Sequence, residues 1–181
     1  MPDKTVAELL EDNRLVVWSP VQARILFNDR FYGKPLGIPR PTEDFNAPLL
    51  LDPVEALYLL EKKEINIRRQ GKNLSEKNFR KILETTFDSF HDKYLVYRGL
   101  RERGYVVTPG IKYGCDFAVY EEGPGRDHAP YVVQVMKKEE VISASEIVKA
   151  GRLASTVRKA FIIAVVNGEV VRFIEFNWWR A

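Results

Sequence analysis

Three side chains in the second half of this chain carry groups that can move protons or steady negative charge: the phenol of Tyr120, the imidazole of His128 and the ammonium of Lys159. Tyr120 ends a strand-like run from Cys115, in which alternation puts Phe117 and Val119 on one face and Asp116, Ala118 and Tyr120 on the other. The loop Glu121 to Asp127 is rich in glycine and proline, and His128 stands where it re-enters the next strand, so the two side chains can be brought near one another. Each group has an ordinary reading when taken alone: an aromatic on a half-buried strand, a solvated loop histidine, and a lysine at the negative end of a helix dipole, worth about 0.3–1 kcal/mol. With Cys115 as the one cysteine and His91 and His128 as the two histidines, no internal disulfide forms and a structural zinc site lacks ligands.

The elements that must position these groups can be read from the pattern. The helix expected before Lys159 has Ser143 and Glu146 in a capping-box arrangement. Ile147, Ala150, Leu153, Ala154 and Val157 form its apolar face, opposite Lys149, Arg152 and Lys159. Ala160 to Val166 reads as a buried strand, Asn167-Gly168 as a type I′ hairpin turn, and Glu169 to Trp179 as the returning strand. Upstream, Phe90, Tyr94, Tyr97 and Leu100 recur at helical spacing, Gly104 offers a left-handed cap, and Tyr105 to Thr108 and Tyr131 to Met136 are further strands. In the first half, Thr5 to Glu11 reads as a short helix and Arg14 to Trp18 as a strand. Pro35, Pro39, Pro41 and Pro48 mark a long exposed loop, Asp52-Pro53 opens a helix through Lys62, and further helical character starts at Ser75.

The expected architecture is α+β or α/β: a small mixed N-terminal domain over 1–84, then an α/β domain over 85–181 with a central mixed sheet flanked by helices. In composition the 181 residues are 45% apolar and 29% charged, as in soluble globular proteins, which excludes a disordered or fibrous chain. The longest apolar run, Ala160 to Val166, is far short of the roughly 20 residues of a membrane span, and Met1-Pro2-Asp3-Lys4 opens no signal peptide. A cytoplasmic protein is expected. Net charge is +3, but Lys149 to Ala181 carries six basic residues against Glu169 and Glu175, which favours a polyanionic partner.

Taken together, several stretches resemble the archaeal tRNA-splicing endonucleases. Tyr94 to Val107 (YLVYRGLRERGYVV), Lys112 to Tyr120 (KYGCDFAVY), His128 to Val133 (HAPYVV) and Arg152 to Lys159 (RLASTVRK) are similar to that family's catalytic domain and follow its order. Phe31 to Lys34 (FYGK) and Glu55 to Glu61 (EALYLLE) resemble its N-terminal domain. The resemblance implies a cofactor-free, metal-independent endoribonuclease that cuts precursor tRNA at bulge-helix-bulge sites and leaves 2′,3′-cyclic phosphate and 5′-hydroxyl ends. It maps the general base onto Tyr120, the general acid onto His128 and the electrostatic stabiliser onto Lys159. A phenol is a poor base near neutrality unless a cation favours its phenolate, a second task expected of Lys159. Arg152 matches a family arginine that clamps a splayed base, and Arg180 is a looser match for a second; the ordinary reading of both is a surface arginine. Helical spacing turns Arg152 the same way as Lys159.

Departures from the family pattern also carry information. Ala118 stands where arginine is usual, Tyr113 where phenylalanine is, and Gly99 where aspartate is. The turn after Ala160 to Val166 is short, whereas self-assembling relatives carry a longer acidic loop there. The Pro35 to Pro48 segment resembles an insertion of catalytic subunits that pair with a separate structural chain. A heterotetramer with such a non-catalytic subunit is therefore expected, with a homo-oligomer as the other option, and Lys34 and Arg40 are expected on RNA phosphate. Two other readings are a non-catalytic RNA-binding subunit and a metal-dependent nuclease of restriction type built on Asp116 and the Gln134 to Lys137 strand. The latter lacks a second carboxylate, because Gln134 is neutral and Met136 occupies the lysine position.

Overall fold

The computed structural model describes residues 4–157 and 159–176, without the side chains of Lys149 and Leu153 to Val157. Within it the chain divides into two compact units, Met1–Phe90 and His91–Ala181. The fold class is mixed α/β, with each unit built on its own mixed sheet and helices. Among the described residues no helix is long and apolar enough to cross a membrane.

The first unit runs β1 (Thr5–Leu9), β2 (Leu15–Val17), α1 (Pro20–Arg30), β3 (Lys34–Pro35), β4 (Leu49–Leu51), α2 (Pro53–Glu61), β5 (Ile65–Arg69), β6 (Lys72–Asn73) and α3 (Glu76–Thr86). Its six-stranded sheet has the order β3-β4-β2-β1-β5-β6. The segment from Thr5, expected to be helical, is a strand paired parallel with β5 and antiparallel with β2. Val6, Leu9 and Leu10 fit a helical stripe, but the burial of Ala7 and Leu9 has the period of two that a sheet imposes. Pro53 does open α2, with the Asp52 carboxylate on the Val54 N–H and Glu55 reaching back to the Asp52 N–H. The same Glu55 oxygen accepts the Gly33 N–H at 3.1 Å, which ties the turn before β3 to this helix. The proline-rich segment is less exposed than expected, because Phe45 and Ala47 are buried and Arg24 and Asn28 of α1 donate to the carbonyls of Phe45 and Glu43.

The second unit runs α4 (Phe90–Glu102), β7 (Val106–Pro109), a 3₁₀ turn Ile111–Tyr113, β8 (Phe117–Tyr120), β9 (Tyr131–Lys137), α5 (Ala144–Val157), β10 (Ala160–Asn167) and β11 (Val170–Phe176). Its five-stranded sheet has the order β11-β10-β9-β8-β7, antiparallel except for β9 against β10. A parallel pair needs a crossover, and α5 supplies it. Val132 and Val133 of β9 are adjacent yet both fully buried, so both faces of the central strand are covered. α4 packs through Tyr97, whose ring lies 6.0 Å from that of Phe117. Its first turn is held by Asp92 to Lys137 at 3.9 Å and Lys93 to Asp116 at 3.1 Å.

Two boundaries in this unit differ from the sequence reading. The capping box of α5 is present, with Ser143 N–H on Glu146 and Glu146 N–H on Ser143, but the helix ends at Val157, so Lys159 is not helical. The hairpin turn is Gly168-Glu169, one residue later than expected, because Asn167 still pairs with Val170. Gly168 has φ +59°, which suits glycine first in a type II′ turn, rather than the I′ turn expected at Asn167-Gly168. β11 is described from Val170 to Phe176, and the rest of the expected strand, with Trp178, Trp179 and Arg180, lies outside the described residues.

Candidate active site

Tyr120 ends β8, His128 lies in the loop before β9 and Lys159 immediately precedes β10, so the sheet register fixes the levels of Tyr120 and Lys159. Val119 of β8 faces Tyr131 of β9, and Ala160 of β10 faces the same Tyr131. One step further along the antiparallel pair places Tyr120 level with Pro130, and one step back along the parallel pair places Lys159 level with Pro130. The Ala160 N–H donates to the Pro130 carbonyl at 2.8 Å, which holds this level. With strands about 4.8 Å apart, the backbones of Tyr120 and Lys159 are separated by roughly 10 Å, within reach of two long side chains. His128 precedes Pro130 by two residues, so the backbones of all three lie at the same end of the sheet. The register thus sets Tyr120 and Lys159 at one level, with His128 two residues before that level on the chain entering the strand between them.

Lys159 is not a dipole-capping lysine on a helix. Its Nζ donates to the carbonyl of Ala129, the residue after His128, and lies 5.0 Å from the ring centroid of Tyr113. Tyr120 is half-buried, and its pKa is raised above the usual 10: burial is the main cause, the Tyr113 phenol adds to it, a hydrogen bond with Thr108 opposes it, and Asp127 raises it further. In the free protein the Lys159 ammonium faces the Ala129 carbonyl and the Tyr113 ring, while burial dominates at the Tyr120 phenol.

Sequence reasoning missed Asp127. Its carboxylate accepts the backbone N–H groups of Glu121, Glu122 and Gly123 at 3.0, 3.3 and 2.8 Å, closing the loop between Tyr120 and His128. Burial by itself raises the Asp127 pKa, but the three backbone donors outweigh it and the net shift is downward. His128 is exposed, flanked by this clamp on one side and by buried Ala129 on the other. The available signal was an Asp at the end of a Gly-Pro-Gly loop, a residue type that binds local backbone donors.

Asp116, the anchor of the metal-dependent reading, is committed elsewhere. Its side chain is 12% exposed and faces Lys93, while Oδ2 accepts the Val135 N–H at 2.8 Å and Gln134 Nε2 at 2.7 Å. Among the described residues no three His, Cys, Asp or Glu side chains gather as a metal-binding group. Burial pushes the Cys115 thiol up to about 11, which makes it a poor nucleophile.

The remaining expected residues are dispersed. Arg152 is exposed on α5, and because Lys159 lies beyond the last helical residue, the helical rotation expected to align the two does not apply. Lys34, on β3, and Arg40 are exposed in the first unit. Arg180 lies outside the described residues.

Comparison with known proteins agrees with this arrangement along the chain. Residues 90–173 match the family model of the tRNA intron endonuclease catalytic C-terminal domain, and residues 6–80 match that of the tRNA intron endonuclease N-terminal domain. A tRNA-splicing endonuclease of Hyperthermus butylicus is 47% identical over 169 residues, covering 91% of this chain and 93% of the relative. Those of Sulfurisphaera tokodaii and Saccharolobus solfataricus are 39% and 38% identical, with 97% and 96% of this chain and 99% and 98% of the relatives covered. With both of its units matched in order and relatives of this similarity along nearly its whole length, the chain belongs to the tRNA intron endonuclease family.

Proposed function

We propose that this chain is the catalytic subunit of an enzyme that removes introns from precursor tRNA at bulge-helix-bulge sites. The observation that carries the reading is the common level of Tyr120 and Lys159 on either side of Pro130, with His128 two residues away. Tyr120 takes the proton of the ribose 2′-hydroxyl beside the scissile phosphate. The O2′–P bond forms, the P–O5′ bond breaks, and His128 delivers a proton to the departing 5′-oxygen. Lys159 steadies the charge of the phosphorane between these events. Atoms balance without water or an added group, so the reaction is a lyase-type transesterification. It leaves a 2′,3′-cyclic phosphate and a 5′-hydroxyl, and needs neither metal nor cofactor.

Arg152 and Arg180 contact unpaired bases of the bulge, whose exposed faces a guanidinium plane can stack on. Lys34 and Arg40 contact phosphate. The short Gly168-Glu169 turn and the long segment between β3 and β4 support assembly with a separate structural chain into a heterotetramer, working in the cytoplasm.

The test is cleavage of a bulge-containing precursor tRNA in EDTA, by the chain alone and with a structural partner. Wild type is expected to cut, with end groups read by a phosphatase and kinase assay. Tyr120→Phe, His128→Ala and Lys159→Ala are each expected to lose about 10²–10⁴-fold in rate while still binding RNA. Wild-type rates in all three variants would overturn the assignment, and strict dependence on a divalent ion would overturn the mechanism.

A further inference from the structure

The functional reading uses Lys159 but does not explain what aims its ammonium. A lysine has four rotatable carbons, and Lys159 sits outside the rigid part of α5. Its Nζ has the Ala129 carbonyl on one side and the face of Tyr113 on the other, with the ring centroid 5.0 Å away. A ring face carries negative charge density, so it holds a cation without neutralising it or occupying its donors.

The ring is itself well anchored. Tyr113 packs against the cluster of Val132, Phe161 and Ile163, and it ends a 3₁₀ turn whose backbone is stapled at Gly110. Gly110 donates to the Asp116 carbonyl at 2.8 Å, and the Tyr113 N–H donates back to the Gly110 carbonyl at 2.8 Å. A Cβ at Gly110 would stand 2.7 Å from the Cys115 carbonyl oxygen, so the turn closes this tightly only with glycine.

Building on the proposed catalytic role of Lys159, we propose that Tyr113 is the positioning residue of this site, its ring face holding the Lys159 ammonium at the edge where Tyr120 and His128 emerge. The aromatic ring is the operative part.

Two variants separate the parts. Tyr113→Phe keeps the ring and removes the hydroxyl, while Tyr113→Met keeps apolar volume against the cluster and removes the ring. In single-turnover cleavage of precursor tRNA by the full assembly, Tyr113→Phe is expected to stay within about 3-fold of wild type. Tyr113→Met is expected to lose about 10-fold or more in rate, with RNA affinity changed less than 3-fold. In a Lys159→Ala background, Tyr113→Met is expected to add nothing. A readout independent of activity is the upfield ring-current shift of the Lys159 ε-methylene protons, present in wild type and Tyr113→Phe and absent in Tyr113→Met.

An unshifted Lys159 resonance in wild type, equal losses from Tyr113→Met with and without Lys159, or wild-type rates in Tyr113→Met would each overturn the inference. If Lys159→Ala cleaves normally, the catalytic reading falls instead, and the ring-current shift still reports whether the ring holds the ammonium.

Discussion

Replacing Asp116 separates a structural carboxylate from a metal ligand, and its effect can be sized from the bonds it makes. Asp116→Ala strands the Val135 N–H within β9 and the amide of Gln134, and leaves Lys93 without its partner. Hydrogen bonds to a charged acceptor contribute about 1.5–3 kcal/mol each. The Lys93 side chain is 39% exposed and regains water, so its share is small. The sum is about 3–6 kcal/mol, which for a chain of this length lowers Tm by roughly 6–24 °C. Asp116→Asn keeps one acceptor oxygen and is expected to lose less. Thermal melting followed by circular dichroism gives the stability, and cleavage in EDTA well below Tm gives the function, which is expected to persist in both variants. Melting within about 2 °C of wild type for Asp116→Ala would refute the bonding argument. A variant that keeps its Tm but loses cleavage would return Asp116 to the chemistry.

Asp127→Ala is expected to raise amide hydrogen exchange at Glu121, Glu122 and Gly123 and to lower cleavage by misplacing His128, while Asp127→Asn has an intermediate effect. Because the Asp127 pKa is lowered on folding, its stabilisation is complete above the unfolded value of about 4 and is lost as pH falls below it, so loop protection should fade in acid. Tyr120 behaves oppositely: its phenol, like that of Tyr131, is raised on folding, so in a spectrophotometric titration these two phenolates should appear last, and one of them should be missing in Tyr120→Phe. Neutralising Lys34 and Arg40 together is expected to weaken RNA binding and to flatten its dependence on salt by up to about two phosphate equivalents, measured by filter binding across a salt series.

Much of this architecture is legible where local chemistry and tertiary demand agree. Asp52-Pro53 announces α2 because cap and first-turn residue are both specified locally, and Ser143 with Glu146 announces α5 in the same way. α1 has a comparable start, Ser19 before Pro20, but its apolar residues hide it: Val21 and Ile25 are 58% and 56% exposed, while Ala23 and Leu26 face inward. No amphipathic stripe marks such a helix. β1 was ambiguous because five residues sample a strand period and a helix period almost equally well. The convergence of Tyr120, His128 and Lys159 is legible from family resemblance, since nothing local says that β8, β9 and β10 are adjacent. The clamp by Asp127 and the ring of Tyr113 under Lys159 depend on loop conformations that residue spacing does not encode.

The shared level of β8, β9 and β10 also dictates which changes the chain can tolerate. Residues can be added to or taken from the tip of the Glu121–Asp127 loop without disturbing the alignment of the strands. Deleting one residue from the start of β9 is a different event. Slipping the ladder by one step turns every side chain of that strand to the opposite face and carries His128 out of line with its two neighbours. The hydrogen-bond ladder therefore works as a vernier for the chemistry, tolerant of length at the margin and intolerant of error along the scale.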